Sequence, residues 1–407
     1  MGLRINQNIA AQNAYRNLSV TDNQMSKSLE KLSSGFRINR ASDDAAGLSI
    51  SEGLRSQTGG LKVAVRNAQD AISVVQTAEG ALNETTSMLQ RMRDLSVQAN
   101  NASLDDSAKK AAAEEFTQLA GEIDRMAETT SFGKSKLLDG SFGMTNTKSG
   151  TVAGTPATAS APATPGALAD TLSGMTIGGL PKQASGATIT IPDVTGLATL
   201  TPQAAAAKIN DAISTALKDG GFGDVSMEVT ASVDKTTGET TYTASGTSGF
   251  ELTASGLGIS GASEAKTGAT PGSFQIGANS GETLNVGIGA INSKTLGLAN
   301  LDLTKTAAQN GGTKTGAAEA IEALDVAIQS VSDTRAKLGA HQNRFEHTIN
   351  NLNTAVENLS ASESRIRDTD MAQEMVGFTR NQILTQAGTS MLSQANQGSQ
   401  GVLSLLR

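Results

Sequence analysis

The sequence predicts a mainly α-helical fold, an elongated coiled-coil or helical bundle formed by both chain ends, with a central β-rich (α+β) insert. Three observations lead to this prediction. Apolar residues recur at alternating steps of three and four over 321–366, a 3.5-residue repeat typical of a helix packed along its whole length. The first 130 residues carry similar stripes. All seven prolines lie between 156 and 271, so the middle of the chain has a different character.

The stretch 321–366 is the longest predicted helix. Most of its seam positions are apolar, and they include Leu324, Leu338, Phe345, Ile349, Leu352 and Leu359. At 1.5 Å per residue such a helix is about 70 Å long. A seam of that length needs an equally long partner, which we expect at 58–129.

Three further helices are predicted before the insert, and one after the long helix. The first, 1–36, has a stripe through Ala11, Tyr15, Leu18, Asp22, Met25, Leu29, Leu32 and Phe36, and Gly35 is expected to end it. The second, 58–100, uses Leu61, Ile72 and Leu82, and the third spans 105–129. The last, 371–407, contains Leu403 and Leu406. The two terminal helices are expected to pair with each other.

The insert covers 141–273. Gly, Ser, Thr and Ala dominate it, and we expect 145–165 to be a disordered linker. A small β-α-β-β unit should follow, with a strand at 187–191, a helix at 203–217, and hairpin strands at 224–233 and 239–244. A second hairpin is predicted around 279–281. Three domains result: 1–45 with 367–407 as a terminal helical domain, 46–140 with 274–366 as a helical rod with a β-hairpin, and 141–273 as a surface insert.

Composition argues against several functions. A net charge of −7 disfavours nucleic acid as a partner, and no apolar run is long enough to span a membrane. The chain has no Cys, and its two histidines, His341 and His347, lie six positions apart on different faces of a helix. We therefore expect no catalytic site, no metal site and no cofactor, and predict a structural role rather than an enzyme.

Several stretches at both ends resemble bacterial flagellin and occur in that family's order. They are Leu32-Ser-Ser-Gly-Phe-Arg-Ile-Asn39, Ser42-Asp-Asp-Ala-Ala-Gly47, Gln76-Thr-Ala-Glu-Gly-Ala-Leu-Asn83, Phe274-Gln-Ile-Gly-Ala-Asn279, Gln342-Asn-Arg-Phe-Glu-His347 and Glu363-Ser-Arg-Ile-Arg-Asp368. The resemblance implies a subunit that polymerises into the flagellar filament for swimming motility. It implies type III export in an unfolded form, assembly at the filament tip, and an extracellular location. The implied partners are other copies of the chain, an export chaperone at the C-terminal helix, and the filament cap and hook–filament junction proteins.

The resemblance also implies a motif sensed by an animal Toll-like receptor. Leu89, Gln90, Arg91 and Leu95 match it, and Glu115 falls at the matching acidic position of the next helix. The alternative is that Arg91 is simply an exposed helix cation and Leu95 a subunit contact.

Two other functions compete with a filament subunit. A hook–filament junction protein shares parts of both ends but usually diverges over 343–352. An enzyme displayed on the filament would need catalytic groups in the insert, which contains no His, Cys or Trp. Adhesion or glycan display by the insert stays open as a second role.

Overall fold

A computed structural model describes residues 8–153, 168–180, 187–198, 200–222, 225–234, 237, 239–266, 268–299, 301–307 and 314–405, with side chains described as far as 397. Six α-helices are described: α1 (Ile9–Ser34), α2 (Ala45–Ala99), α3 (Asp106–Thr129), α4 (Pro202–Asp219), α5 (Gly316–Arg367) and α6 (Met371–Leu405). The prediction of a mainly helical chain with a strand-rich centre is confirmed. No described helix is long and apolar enough to cross a membrane.

Short strands occupy the middle of the chain. They are β1 (Ser131–Phe132), β2 (Ser135–Lys136), β3 (Asn146–Val152), β4 (Thr171–Leu172), β5 (Thr176–Gly178), β6 (Thr188–Thr190), β7 (Val194–Thr195), β8 (Met227–Val233), β9 (Thr240–Gly246), β10 (Glu251–Thr253), β11 (Glu264–Ala265), β12 (Ser273–Gln275) and β13 (Thr283–Asn285). By contacts, the chain divides into two compact units: 1–63 with 351–407, and 64–350.

The helix α2 begins earlier than predicted, at Ala45 rather than near Thr58. Asp44 explains the start, because its Oδ1 accepts a hydrogen bond from the Gly47 amide at 2.8 Å, as an N-cap side chain does. Gly59 and Gly60 lie inside the helix, where glycine costs about 1 kcal/mol relative to alanine. Buried positions on either side, such as Thr58 and Ala64, hold the helix through this stretch by tertiary packing.

In the unit 64–350, α2, α3 and α5 share one buried core, so the expected pairing of the long helices is confirmed. Every second seam position of α5 is fully buried there: Leu324, Val331, Leu338 and Phe345. Phe345 meets Phe274 edge to face, with ring centroids 5.8 Å apart. Phe274 belongs to the predicted hairpin, which forms as β12 and β13. The core therefore ties the hairpin to the long helices.

The insert has its own apolar core, drawn from residues between 168 and 259. The helix α4 packs on a four-stranded sheet of order β11-β3-β9-β8. The helix and the β8–β9 hairpin occur where the β-α-β-β prediction put them. The predicted strand at 187–191 forms as β6, but it pairs with β5 in a separate three-stranded sheet.

The prediction of a disordered linker at 145–165 is wrong for its first part. Residues 146–152 form β3, which pairs with β9 over seven residues and with β11 on its other side. The backbone ladder holds this strand, whose side chains are mostly small and polar, so no hydrophobic alternation marked it in the sequence. Residues 154–165 lie outside the described part of the chain.

Candidate assembly surface

The helices α1 and α6 pack against each other in the unit 1–63 with 351–407. They run antiparallel, because Asn8 Nδ2 donates to the Ala395 carbonyl at 2.9 Å while Phe36 bridges to Asp368 at the other end. The seam of α1 consists of Ala11, Ala14, Leu18, Thr21, Met25, Ser28 and Leu32, which are buried or half-buried at steps of three and four. The pairing of the terminal helices is therefore as predicted.

The predicted stripe of α1 was partly wrong. Tyr15 and Leu29 are 66% and 57% exposed, and Asp22 is exposed as well. The observed seam uses small neighbours such as Ala14, Thr21 and Ser28 instead. Periodicity alone could not separate the two choices, because both stripes share Leu18, Met25 and Leu32.

The facing seam of α6 combines large apolar residues with small or polar ones. It includes Phe378, Asn381, Thr385, Gly388 and Leu392. Leu18 fits beside Gly388, where an added Cβ would lie 3.2 Å from Leu18 Cδ1. The two backbones therefore approach closely at this point.

Large apolar side chains of α6 point away from this seam. Met371, Met375, Val376, Ile383, Leu384 and Met391 are each about half exposed or more, and α1 adds Ile9, Tyr15, Val20 and Leu29. Met375, Val376, Ile383 and Leu384 line an open groove together with Thr379 and Arg380. We call these ten apolar residues the terminal apolar face. Within the described part of the chain, nothing covers it.

The segment that follows α1 contacts the segment between α5 and α6, and we call this contact the joint. The Arg37 amide donates to the Arg367 carbonyl at 2.7 Å, and the Thr369 amide donates to the Gly35 carbonyl at 3.0 Å. The Arg367 guanidinium lies over the Phe36 ring at 4.6 Å and bonds Glu52 Oε1 at 2.8 Å. Gly35 takes the left-handed conformation, with φ of 76°. The sequence marked both breaks but gave no sign that they touch.

The remaining predicted seam residues differ in burial. Leu82 and Leu352 are buried, whereas Leu61, Ile72, Ile349 and Leu359 are half-buried. Leu403 lies in α6, but its side chain is outside the described set, and Leu406 lies outside the described residues altogether.

The predicted receptor residues separate into two groups. Leu89 and Leu95 are buried in the core of α2, α3 and α5. Gln90 and Arg91 are exposed, and the Arg91 guanidinium pairs with Glu115 Oε1 at 2.7 Å, joining α2 to α3. Of the five predicted residues, Gln90, Arg91 and Glu115 present side chains to a protein approaching this surface, and the two leucines do not.

The described residues contain no group of three or more His, Cys, Asp or Glu side chains placed to hold a metal ion. His347 is exposed. Burial and the nearby Arg344 lower the pKa of His341, whose Nδ1 is buried and has no hydrogen-bond partner among the described residues.

Comparison with known families settles what kind of chain this is. The family model of the bacterial flagellin N-terminal helical region matches residues 5–143, and that of the C-terminal helical region matches 321–406. Together the two matches cover more than half of the sequence. The chain belongs to the flagellin family.

Full-length relatives agree. A flagellin of Clostridium tyrobutyricum is 41% identical over 396 residues, covering 97% of this chain and all of that protein. Flagellin B of Vibrio cholerae is 39% identical over 430 aligned positions, covering both chains completely. Among solved structures, the crystal structure of Bacillus cereus flagellin is 21% identical, with 70% of this chain and 88% of that chain covered and a TM-score of 0.31.

This flagellin is a filament subunit of the bacterial flagellum. It is a structural protein, not an enzyme, and an extracellular component of the filament. The full-length match to flagellins favours this function over that of a hook–filament junction protein.

Proposed function

We propose that copies of this flagellin polymerise through the terminal apolar face, after export in an unfolded form and addition at the filament tip. One observation carries the proposal: ten large apolar residues of α1 and α6 lie outside the seam that the two helices share and are about half exposed or more. Met375, Val376, Ile383 and Leu384 line one open groove, and exposed apolar surface of this kind marks an interaction site. A filament subunit must contact copies of itself, so a second copy is the occupant that the family supports.

The energetic gain from covering this face is large. Fully burying a Met, Leu, Ile or Val side chain stabilises by about 1.5–3 kcal/mol relative to leaving it exposed. Several such residues repeated on every subunit would offset the entropy lost when a monomer joins the filament. The same side chains contribute little to the monomer, because they remain in water there.

Ile383→Asp tests this proposal. Ile383 is 60% exposed, so the monomer should keep its helix content and thermal midpoint, whereas polymerisation on filament seeds should fail because a charge would enter the contact. The control is Gln382→Asp, which adds the same charge at an exposed neighbour 100° around the helix. Electron microscopy of seeded samples and circular dichroism of monomers measure the two properties. Growth of Ile383→Asp filaments at the parent rate would overturn the proposal.

Before assembly, exposed apolar side chains on α6 need a cover to prevent aggregation. We propose an export chaperone that binds this C-terminal helix, and the filament cap and hook–filament junction proteins as contacts at the filament ends. Chaperone binding should depend on the terminal apolar face. If Met375→Asp and Ile383→Asp monomers bound the chaperone as tightly as the parent does, the chaperone proposal would fail.

A second proposed partner is an animal Toll-like receptor, contacted through Gln90, Arg91 and Glu115. The exposed ion pair between Arg91 and Glu115 supports it, since it holds the guanidinium in place on the surface. Leu89 and Leu95 would support the site from the core beneath. Arg91→Ala should weaken receptor activation by monomers of unchanged melting temperature. Full activation by that variant would remove Arg91 from the contact.

The three-domain division also remains a proposal: 1–45 with 367–407, 46–140 with 274–366, and the insert 141–273. The separate apolar core at 168–259 supports an insert with its own packing. We propose that the insert faces solvent, where adhesion or glycan display is a second candidate role. Limited proteolysis tests the boundaries, because cleavage should concentrate between the proposed domains rather than within them.

A further inference from the structure

We propose that Arg367 is a positioning residue that fixes the heptad register of α1 against α6. This inference goes beyond polymerisation itself, although it rests on the proposal that the terminal apolar face is the polymerising surface. A change of register would move the apolar residues of α1 relative to those of α6 and so change that face.

The seam between the two helices does little to define its own register. Most of its members are small or polar, among them Ala11, Ala14, Thr21, Thr385 and Ala395. Sliding one helix by seven residues keeps every seam residue on the seam and moves it about 10 Å along the axis. The large residues of the α1 seam offer little resistance to such a slide, because Leu18, Met25 and Leu32 stand seven positions apart and would replace one another. In the observed register, Leu18 lies beside Gly388.

The joint at the end of the pair opposes the slide directly. Gly35 to Arg37 and Ile366 to Thr369 are held by the two backbone hydrogen bonds already described, and Arg37 Nη2 also donates to the Ile366 carbonyl at 2.6 Å. A seven-residue slide would break all three bonds, because Gly35 to Arg37 lie beyond the end of α1 and Asp368 to Thr369 lie between α5 and α6, where no heptad supplies replacement partners.

Arg367 connects this joint to a third segment. Its guanidinium stacks on Phe36 and bonds Glu52 in α2, and only 13% of its side chain is exposed. A planar guanidinium can stack and donate at once, which a lysine ammonium cannot do in the same geometry. Arg367 therefore anchors the α1 break to both α2 and α5, and α1 is fixed relative to α6 through that anchor.

Engineered disulfides can report the register, because the chain has no native cysteine. A Cβ built at Gly388 lies 3.8 Å from the Leu18 Cβ, close to the mean of about 3.8 Å found across disulfides. The pair L18C/G388C therefore reports the native register. The pairs A11C/G388C and M25C/G388C report a one-heptad slide in either direction.

Each pair is placed in the full-length parent and in Arg367→Ala, Arg367→Lys and Arg365→Ala backgrounds. Arg365 is the control, because it is an exposed arginine in the same turn whose Nη2 donates to the Ser362 hydroxyl at 3.0 Å, its one bond among the described residues. Intramolecular disulfide yield is measured by gel mobility under mild oxidation, in monomers and in seeded filaments.

In the parent and in Arg365→Ala, we expect the native pair to close and the shifted pairs to stay open. In Arg367→Ala, the disulfide yield of the native pair should fall severalfold and the yield of at least one shifted pair should rise. Arg367→Lys should give yields between those of the parent and those of Arg367→Ala. An unchanged ratio of native to shifted closure in Arg367→Ala would overturn the proposal. Loss of closure in all three pairs would also overturn it, since Arg367 would then hold the helices together rather than set their register. Because the yield is intramolecular, this result is independent of whether the terminal apolar face polymerises.

Discussion

The buried hydroxyl of Tyr242 allows the energetic cost of a single polar atom to be tested. Tyr242 is fully buried in the insert core, and its hydroxyl has no hydrogen-bond partner in the described structure. A buried donor without a partner costs about 1–3 kcal/mol of desolvation. Tyr242→Phe removes that cost and leaves the ring in place. We expect its urea midpoint to equal or exceed that of the parent, and Tyr15→Phe, at an exposed position, to change nothing. A clear loss of stability in Tyr242→Phe would contradict this.

The same residue predicts a dependence on pH. Burial raises the pKa of Tyr242 to about 12 from its usual 10. Since the folded-state pKa is the higher one, the unfolded state ionises first, and stability is lost as pH rises from about 10 through the folded pKa. The parent urea midpoint should therefore fall more steeply above pH 10 than that of Tyr242→Phe. Parallel curves for the two proteins would show that Tyr242 ionises alike in both states.

Among the elements, the sequence described α5 best. Its seam residues were predicted by their spacing, and every second one from Leu324 to Leu352 is buried. An unbroken heptad keeps these side chains on the one face that packs. In α1 the prediction failed at Tyr15 and Leu29, since this helix carries apolar residues outside its seam as well as within it. The strand β3 was missed for a different reason: its backbone ladder, not its side chains, holds it in the sheet.

The α5 seam can be tested by comparing two neighbouring residues, one on the seam and one beside it. Leu352 is 8% exposed, whereas Asn351 is exposed. Leu352→Asp loses apolar burial and places a charge in the seam, which should cost about 2–5 kcal/mol. Asn351→Asp adds the same charge in water and should cost little. Thermal unfolding by circular dichroism should therefore separate the two variants by several degrees, and filament growth should fail only for Leu352→Asp. Equal melting temperatures would contradict the seam.

For the whole molecule, the change in amino-acid composition near residue 141 located the insert in the sequence. It could not show at which residue the core shared with the helices ends. Phe142 belongs to that core and lies 6.4 Å from Phe274 between ring centroids. The chain then leaves and returns close to the same point, because the Lys266 amide donates to the Thr145 carbonyl at 2.8 Å. The insert as a folded body therefore begins a few residues later and ends earlier than its composition indicated.

Two deletions separate these boundaries. Joining Thr145 to Lys266 through Gly-Ser-Gly spans a gap that one hydrogen bond already closes, and it keeps Phe142 against Phe274. Joining Leu138 to Ser273 with the same linker removes Phe142 from the core, and losing a buried Phe costs about 3–5 kcal/mol. We expect the first deletion to retain the helical signal, the parent melting temperature of the helical core and growth on seeds, because the insert core packs separately. The second should melt at a lower temperature. Failure of the first deletion to assemble, with its helical core intact, would show that the insert takes part in subunit contacts.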